Sequence, residues 1–337
     1  MFRPPSLRLA LAGILATVVV VGVVATGGAS GATSTATSTA TATKAKRYDI
    51  SLGDSYSVGY QNPNLLHSTG FTGDVAKKEK LTLANFGCSG ATTTSIFTQD
   101  GCPTANSAPA SSGGVAYPGT NQVQAALDFI GAHPGTIDLV TVSIGGNDVT
   151  ACTTLSTAAA ILTCVETADT TIATNVGKLV GELDTTLTAG DDSPAHIVGI
   201  TYPDVILGDW VAPVGSTSPG LAELSISAFD DLINPTLDTA YTSVTRGSFV
   251  NVTDARWKSA TAGDDTGTFA STGGAAPFTY VGPTMHLRGV SRTAPAAVAE
   301  VCELTWYCAS SSFGDIHANT KGYAFIGSLV VADLKSL

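Results

Sequence analysis

The stretch that decides the fold is YDISLGDSYS, residues 48–57. A β-prone run leads into Gly-Asp-Ser and then into polar residues that can begin a helix. A tight strand-to-helix turn would hold the Ser55 hydroxyl above the end of a sheet, beside backbone N–H groups without intrahelical acceptors. An exposed hydroxyl beside such donors is what a serine nucleophile requires. Gly-Asp-Ser is equally an ordinary turn with Asp or Ser as a helix cap, so other residues must decide between the two interpretations.

Composition limits the class of protein. The chain has 337 residues, of which 44% are hydrophobic and only 13% are charged, which is typical of a globular protein. Its formal net charge is −11. Phosphate binding needs a basic surface, so we expect no nucleic-acid partner and no attraction to an anionic membrane surface.

The start of the chain, residues 1–32, has the pattern of a secretory signal peptide. Arg3 and Arg8 precede an uncharged apolar run over residues 9–25, and small residues follow it. The alternative is an uncleaved membrane anchor, but about 17 apolar residues is at the short end for spanning a bilayer. We therefore predict that residues 1–32 are removed, that the mature protein has no stable membrane insertion, and that it is secreted.

Residues 33–47 form a low-complexity linker. They are rich in Thr, Ser and Ala up to residue 43, a composition that cannot bury a core. The folded domain is predicted to occupy residues 48–337.

Export makes the six cysteines candidates for disulfides. They fall in close pairs that bracket loop-like, Gly-, Ser- or Thr-rich stretches, which favours pairing between neighbours. A zinc site is the rival interpretation, but no Cys-x-x-Cys spacing or nearby His supports it. The predicted pairs are Cys88 with Cys102, Cys152 with Cys164, and Cys302 with Cys308.

The remaining pattern predicts an α/β fold. Residues 137–144, IDLVTVSI, are apolar at most positions, as expected of a central parallel strand buried on both faces. Strand-like and helix-like segments alternate five times, which indicates a five-stranded parallel sheet covered by helices. A helix over residues 158–187 is expected to be interrupted near Cys164. The turns at Ser55, Gly90 and Asn147 all follow strands, so they would meet at one edge of the sheet.

These turns supply most of a serine ester hydrolase. Ser55 is the candidate nucleophile, and the candidate oxyanion donors are the N–H groups of Ser55 and Gly90 and the amide of Asn147. The base must be a histidine, and His317 lies just before the last helix, where it can reach back over the sheet. His133 ends a helix and His196 begins a strand at its far end, so both are predicted to be structural. His67 and His286, in loops, stay open as alternatives.

Four blocks together resemble the SGNH, or GDSL, hydrolase family, and in particular its secreted bacterial esterases and lipases with three disulfides. They are residues 53–57 (GDSYS), 88–92 (CSGAT), 145–148 (GGND) and 315–317 (DIH). The resemblance implies a three-layer α/β/α, flavodoxin-like fold with a central five-stranded parallel sheet. It also implies Ser55 as nucleophile, His317 as base, and Ser55, Gly90 and Asn147 as the oxyanion hole. It implies no metal or cofactor, and it supports the neighbour pairing of the cysteines.

The last block departs from the family pattern. The family usually has Asp three residues before the His, but that position is Gly314, and Asp315 is only two before His317. Either the Asp315 side chain or the Gly314 carbonyl would hold the imidazole tautomer that a base needs. We expect the carbonyl to do so, and Asp315→Asn to retain most activity.

The function expected from the sequence is hydrolysis of a carboxylic ester through an acyl-Ser55 intermediate. The partner is a small-molecule or lipid ester, with its acyl length and alcohol left open, and the protein is expected to be a monomer. One alternative is an acyltransferase that uses the same acyl-enzyme. The other, from a different class, is a non-catalytic binding module on this fold.

Overall fold

The computed structural model describes residues 46–61, 69–193, 195–211, 219–253, 284–287, 290–293, 296–309 and 312–337. The predicted signal peptide, nearly all of the predicted linker and His67 lie outside these residues. So does all of the Gly/Ala/Thr-rich stretch 259–284 except its last residue.

Five parallel strands form the central sheet, in the order β2-β1-β3-β4-β5. Each strand begins a new strand-and-helix unit, as the alternating pattern predicts. β3 is buried along nearly its whole length because its apolar side chains are covered on both faces of the sheet. The bounds are β1 Tyr48–Gly53, β2 Thr82–Asn85, β3 Ile137–Ser143, β4 His196–Ile200 and β5 Gly247–Val250.

Helices cover both faces and make three layers, α/β/α. The helix at Gly70–Glu79 packs with the last helix on one face, and the helices at Gln122–Ala132, Ala158–Ala189 and Asn234–Tyr241 pack together on the other. No helix in the described part of the chain is long and apolar enough to cross a membrane. The helices are α1 Ser55–Val58, α2 Gly70–Glu79, α3 Ser95–Thr98, α4 Gln122–Ala132, α5 Gly146–Thr150, α6 Ala158–Ala189, α7 Pro219–Ser227, α8 Asn234–Tyr241, α9 Ala296–Leu304 and α10 Thr320–Leu334. A separate antiparallel hairpin pairs β6 Thr284–Leu287 with β7 Val290–Thr293.

The expected interruption near Cys164 is wrong, because α6 runs unbroken through that position. Cys164 instead bonds to Cys152 in the short helical turn that precedes α6. The helix contains no proline, and its inward side chains, such as Val165 and Ile172, are buried in the main hydrophobic core. Tertiary burial of this face outweighs the weak helix propensity of its many threonines.

All six cysteines are paired with their neighbours, Cys88 with Cys102, Cys152 with Cys164, and Cys302 with Cys308. The first bond holds the turn that contains Gly90 to the loop that follows α3. The second holds the segment after α5 to α6. Two of the three disulfides therefore brace loops at the carboxyl edge of the sheet.

Strand order determines where a ligand can bind. β1 pairs with both β2 and β3, so the chain winds in opposite directions from the middle of the sheet. In doubly wound sheets of this order, the loops after β1 and β3 separate and leave a crevice at the carboxyl edge. Ser55 follows β1 and Asn147 follows β3, so both lie at that crevice.

Candidate active site

The turn after β1 needs glycine for two reasons. Gly53 has φ 136°, and a Cβ there would lie 2.0 Å from the carbonyl oxygen of Ser143 on β3. Asp54 then caps α1, with its carboxylate accepting from the Tyr56 N–H at 2.9 Å. Ser55 is the first residue of α1 and is 6% exposed. Its hydroxyl makes no hydrogen bond to any described residue, and as the first N–H of a helix its amide has no intrahelical acceptor.

Gln122 fixes the position of this turn. Its side-chain amide accepts from the Gly53 N–H at 2.8 Å and donates to the Gly53 carbonyl at 3.0 Å. Gln122 begins α4, 69 residues further along the chain, and is almost fully buried. The sequence analysis missed it, because a glutamine at the start of a helix carries no local signal of a contact this distant.

The two other candidate donor segments are bonded to each other. The Asn147 amide donates to the Ala91 carbonyl at 2.8 Å, and Asp148 accepts from the Thr93 hydroxyl and N–H at 2.6 and 2.9 Å. Burial raises the pKa of Asp148, against the effect of the Thr93 hydrogen bonds. Gly90 lies in the same turn as Ala91, with φ 86° and open space where a Cβ would lie, and its N–H has no acceptor among the described residues.

Asp54 links Asn147 to β4. One of its carboxylate oxygens accepts from the Tyr202 hydroxyl at 2.6 Å and lies 3.4 Å from the Asn147 amide nitrogen. Full burial raises the pKa of Asp54 to about 6, although the hydrogen bonds from Tyr202 and Tyr56 favour its charged form. Tyr202 is far from the nucleophile in sequence, and no local pattern indicates this contact.

Asp315, and not the Gly314 carbonyl, contacts the imidazole of His317. Its Oδ1 lies 2.7 Å from His317 Nδ1 and also accepts from the His317 backbone N–H at 3.1 Å. The expectation for Gly314 is therefore wrong. The Asp315 N–H donates to the Ser312 carbonyl in the loop before His317, and from this loop the Asp315 carboxylate reaches the ring although it is only two residues away in sequence. Burial raises the pKa of Asp315, but the hydrogen bonds and charge of His317 outweigh it, so the pKa lies below its ordinary value.

Aromatic side chains join the His317 loop to the nucleophile turn. The Tyr56 hydroxyl donates to the Ile316 carbonyl at 2.6 Å, and the Tyr60 ring lies 4.3 Å from the imidazole between centroids. Tyr60 is itself bonded through its N–H to the Ser55 carbonyl. The imidazole also lies close enough to Asp54 for its charge to lower the pKa of that carboxyl. Ser55 and His317, which stand near opposite ends of the folded domain in sequence, are thus held by one small set of contacts.

A cleft begins at this point. It has about 670 Å³ of space, counted with its opening to solvent. Ser55, Asn147 and Ile316 line it near the sheet edge, and Val205, Phe229 and Ile233 are among the apolar residues that line it further on. Gly90 and His317 are not among the lining residues. Of the candidate residues, Ser55 and Asn147 therefore line this mainly apolar cleft, together with Ile316, the neighbour of His317.

Two other histidines, His133 and His196, have different surroundings. His133 lies at the end of α4, where its Nδ1 contacts the Phe129 carbonyl at 2.8 Å and its ring stacks on Phe129. His196 begins β4 at the edge of the sheet opposite to Ser55. Both positions agree with the structural roles predicted for them. The described residues also contain no cluster of three or more His, Cys, Asp or Glu side chains that would hold a metal ion.

Fold and cleft together define a doubly wound α/β protein with a serine, an amide and an imidazole–carboxylate pair at its switch point. No protein-family model and no curated protein matches the sequence. One matching solved structure is 13% identical, with 87% of this chain and 98% of that chain covered and a TM-score of 0.42. Another, described as a G-D-S-L family lipolytic protein from Desulfitobacterium hafniense DCB-2, is 9% identical over 85% of this chain and 99% of that chain, with a TM-score of 0.35. At these values neither likeness bears on activity.

Proposed function

We propose that this chain is a secreted SGNH-type serine hydrolase that cleaves carboxylic esters through an acyl-Ser55 intermediate. The observation that supports the proposal is a cleft lined by Ser55 at the start of α1, Asn147 after β3, and Ile316, the residue before His317. The Tyr56 hydroxyl bonds to the Ile316 carbonyl, and His317 contacts the Asp315 carboxylate through Nδ1. An imidazole oriented by a carboxylate, beside a serine with adjacent N–H donors, is the set of groups that acyl transfer requires.

The first half of the reaction transfers the acyl group to Ser55. Because Asp315 accepts at Nδ1, the ring proton belongs on that nitrogen, and Nε2 keeps the lone pair that takes the Ser55 proton. The Ser55 oxygen then bonds to the ester carbonyl carbon. Negative charge gathers on the carbonyl oxygen, where the N–H groups of Ser55 and Gly90 and the amide of Asn147 would stabilise it. Collapse of the tetrahedral intermediate breaks the bond to the alcohol oxygen, which leaves with the proton from Nε2.

The second half repeats these steps with water. His317 takes a proton from water, hydroxide attacks the acyl carbon, and the proton returns to the Ser55 oxygen as the carboxylic acid leaves. The Ser55 hydroxyl has no hydrogen bond to His317 in the free protein. Catalytic hydrogen bonds in free enzymes are often long and tighten only when substrate binds.

Secretion is proposed on sequence and disulfides together. Three disulfides suit an oxidising compartment, and residues 1–32 have the charge and hydropathy pattern of a cleaved signal peptide.

The test is hydrolysis of p-nitrophenyl esters of increasing acyl length by the wild-type protein and by Ser55→Ala. We expect turnover by the wild type and background rates for the variant, with the unfolding midpoint unchanged. Equal rates would refute the proposal. Adding an alcohol and measuring the ester formed separates a hydrolase from the alternative acyltransferase, since a transferase would yield mainly the new ester.

A further inference from the structure

A second apolar cavity lies directly behind the cleft. Residues of α6 and α7, among them Ile161, Leu162 and Leu224, line it on the far side. It shares five lining residues with the cleft, namely Val149, Thr153, Ile206, Phe229 and Ile233. The two spaces therefore lie side by side, and these five residues, called here the shared wall, border both of them.

Away from Ser55, several hydroxyl groups along both spaces are hydrogen-bonded within the protein. In the cleft, the Thr150 hydroxyl donates to the Gly146 carbonyl, and the Tyr202 hydroxyl donates to Asp54. The Thr153 hydroxyl, in the shared wall, donates to the Thr150 carbonyl. In the second cavity, the Ser225 hydroxyl donates to Asp204 at 2.8 Å. Space lined in this way holds water poorly and accepts hydrocarbon.

Phe229 is the largest side chain of the shared wall. It lies in the π-helical turn Ala228–Ile233 between α7 and α8, and it is 9% exposed. Ile233 lies four residues further along the same turn. Widened turns of this kind are common where a helix borders a functional site.

The part of an ester that suits this space is the acyl group. It stays bonded to Ser55 through both halves of the reaction, while the alcohol must leave and water must enter. A space that continues into the protein from Ser55 suits the group that stays. The open side suits the group that leaves.

We propose that a linear aliphatic acyl chain lies in the cleft beside Ser55, and that Phe229 limits its length by closing the cleft off from the second cavity. This inference rests on the proposed function and names its substrate class. Esters whose acyl chain ends before Phe229 are good substrates, and longer ones are poor.

The test compares p-nitrophenyl ester series for the wild type and Phe229→Ala. In the wild type, kcat/KM should rise about fourfold for each methylene buried and then fall once the chain reaches Phe229. In Phe229→Ala the rise should continue to longer chains, with a gain of about tenfold or more for esters beyond the wild-type optimum. An unchanged optimum, with short esters still hydrolysed, would overturn the proposal.

Further variants separate the loss of the Phe229 ring from a general loss of packing in the protein. Phe249→Ala removes the same side chain from β5, where Phe249 stacks on Tyr241, and should leave the optimum unchanged. Adding Leu162→Phe to Phe229→Ala fills the second cavity and should return the optimum towards the wild-type length. If Phe229→Ala does not fold, Phe229→Leu should give a smaller shift in the same direction. A shift in acetate esters of longer alcohols, without one in the acyl series, would overturn the assignment to the acyl group.

A binding measurement keeps this inference separate from the activity. In the Ser55→Ala background, calorimetry with straight-chain fatty acids should show tighter binding of longer acids once Phe229→Ala is added. If longer acids bind more tightly to that variant but Ser55 of the wild type fails to react with a fluorophosphonate, the proposed function is refuted and the role of Phe229 in limiting chain length is supported. If Ser55 of the wild type reacts but Phe229→Ala changes neither the binding of fatty acids nor the optimal acyl length, only the role proposed for Phe229 is refuted.

Discussion

The Tyr202 hydroxyl donates a 2.6 Å hydrogen bond to Asp54, which joins the segment after β4 to the nucleophile turn after β1. The same Asp54 oxygen lies 3.4 Å from the Asn147 amide nitrogen. Asp54 is the residue before the nucleophile. Its buried carboxylate therefore connects Tyr202 with Asn147, a candidate oxyanion donor. The hydrogen bonds to Asp54 favour its charged form, whereas burial favours its neutral form.

Tyr202→Phe should therefore destabilise the protein more at pH 8 than at pH 5. The lost hydrogen bond stabilises the carboxylate of Asp54, whose pKa is about 6, so it contributes most when that group is charged. We expect a loss of about 2 kcal/mol in the free energy of unfolding at pH 8 and a smaller loss at pH 5. Urea unfolding at both pH values measures the loss in free energy. Equal losses at pH 8 and pH 5 would show that the strength of the hydrogen bond does not depend on the charge of Asp54.

Stability as a whole should fall as pH rises from about 4 to 8. Burial raises the pKa of Asp49 to about 8 and that of Asp204 to about 7, alongside Asp54 at about 6. Between its unfolded pKa of about 3.9 and these values, each carboxyl binds its proton more tightly in the folded state. Raising the pH removes protons that stabilise the fold. Asp49→Asn should flatten the slope of unfolding free energy against pH, and an unchanged slope would exclude Asp49 as a source of it.

Asp315→Asn should lower kcat on the order of 10³-fold or more. The Asp315 carboxylate accepts the Nδ1 proton at 2.7 Å, and an amide that donates there instead would hold the wrong imidazole tautomer. Ester turnover under saturating substrate measures the loss. Asp100→Asn, at an exposed carboxylate, is the matched control and should lose nothing. Retained activity in Asp315→Asn would restore the Gly314 carbonyl as the group that orients His317.

Asn147→Ala should lower kcat by about 10²–10³-fold with little change in KM, since the donor acts on charge that develops in the transition state. Asn175→Ala is a suitable control, because the Asn175 amide donates to the nearby Thr93 and Thr94 hydroxyls and does not line the cleft. A loss confined to KM would mean that Asn147 binds substrate without stabilising the oxyanion.

The sequence predicts the architecture because its signals are local. The apolar run of β3, the alternation of strands and helices, and the small residues around each cysteine pair all act within a few turns of chain. They suffice for the parallel sheet and the three neighbouring disulfides. The Gly53 turn was predictable from the local Gly-Asp-Ser motif, although the close approach of Ser143 on β3 to Gly53 was not.

Contacts between distant residues were not predictable in this way. The bidentate contact of Gln122 with Gly53 and the link from Tyr202 to Asp54 depend on how layers pack, and a single sequence carries no trace of that. The unbroken α6 and the choice of Asp315 over Gly314 were missed for a related reason. Burial of one face keeps α6 helical, and the contact of Asp315 with His317 depends on the conformation of a loop that the local sequence does not reveal.

The most direct test of the central claim is labelling by a fluorophosphonate, followed by peptide mapping. The account predicts one adduct, on the peptide that contains Ser55, formed rapidly by the wild type, slowly by His317→Ala and not at all by Ser55→Ala. An unreactive wild-type protein, or an adduct on a different serine, would contradict it.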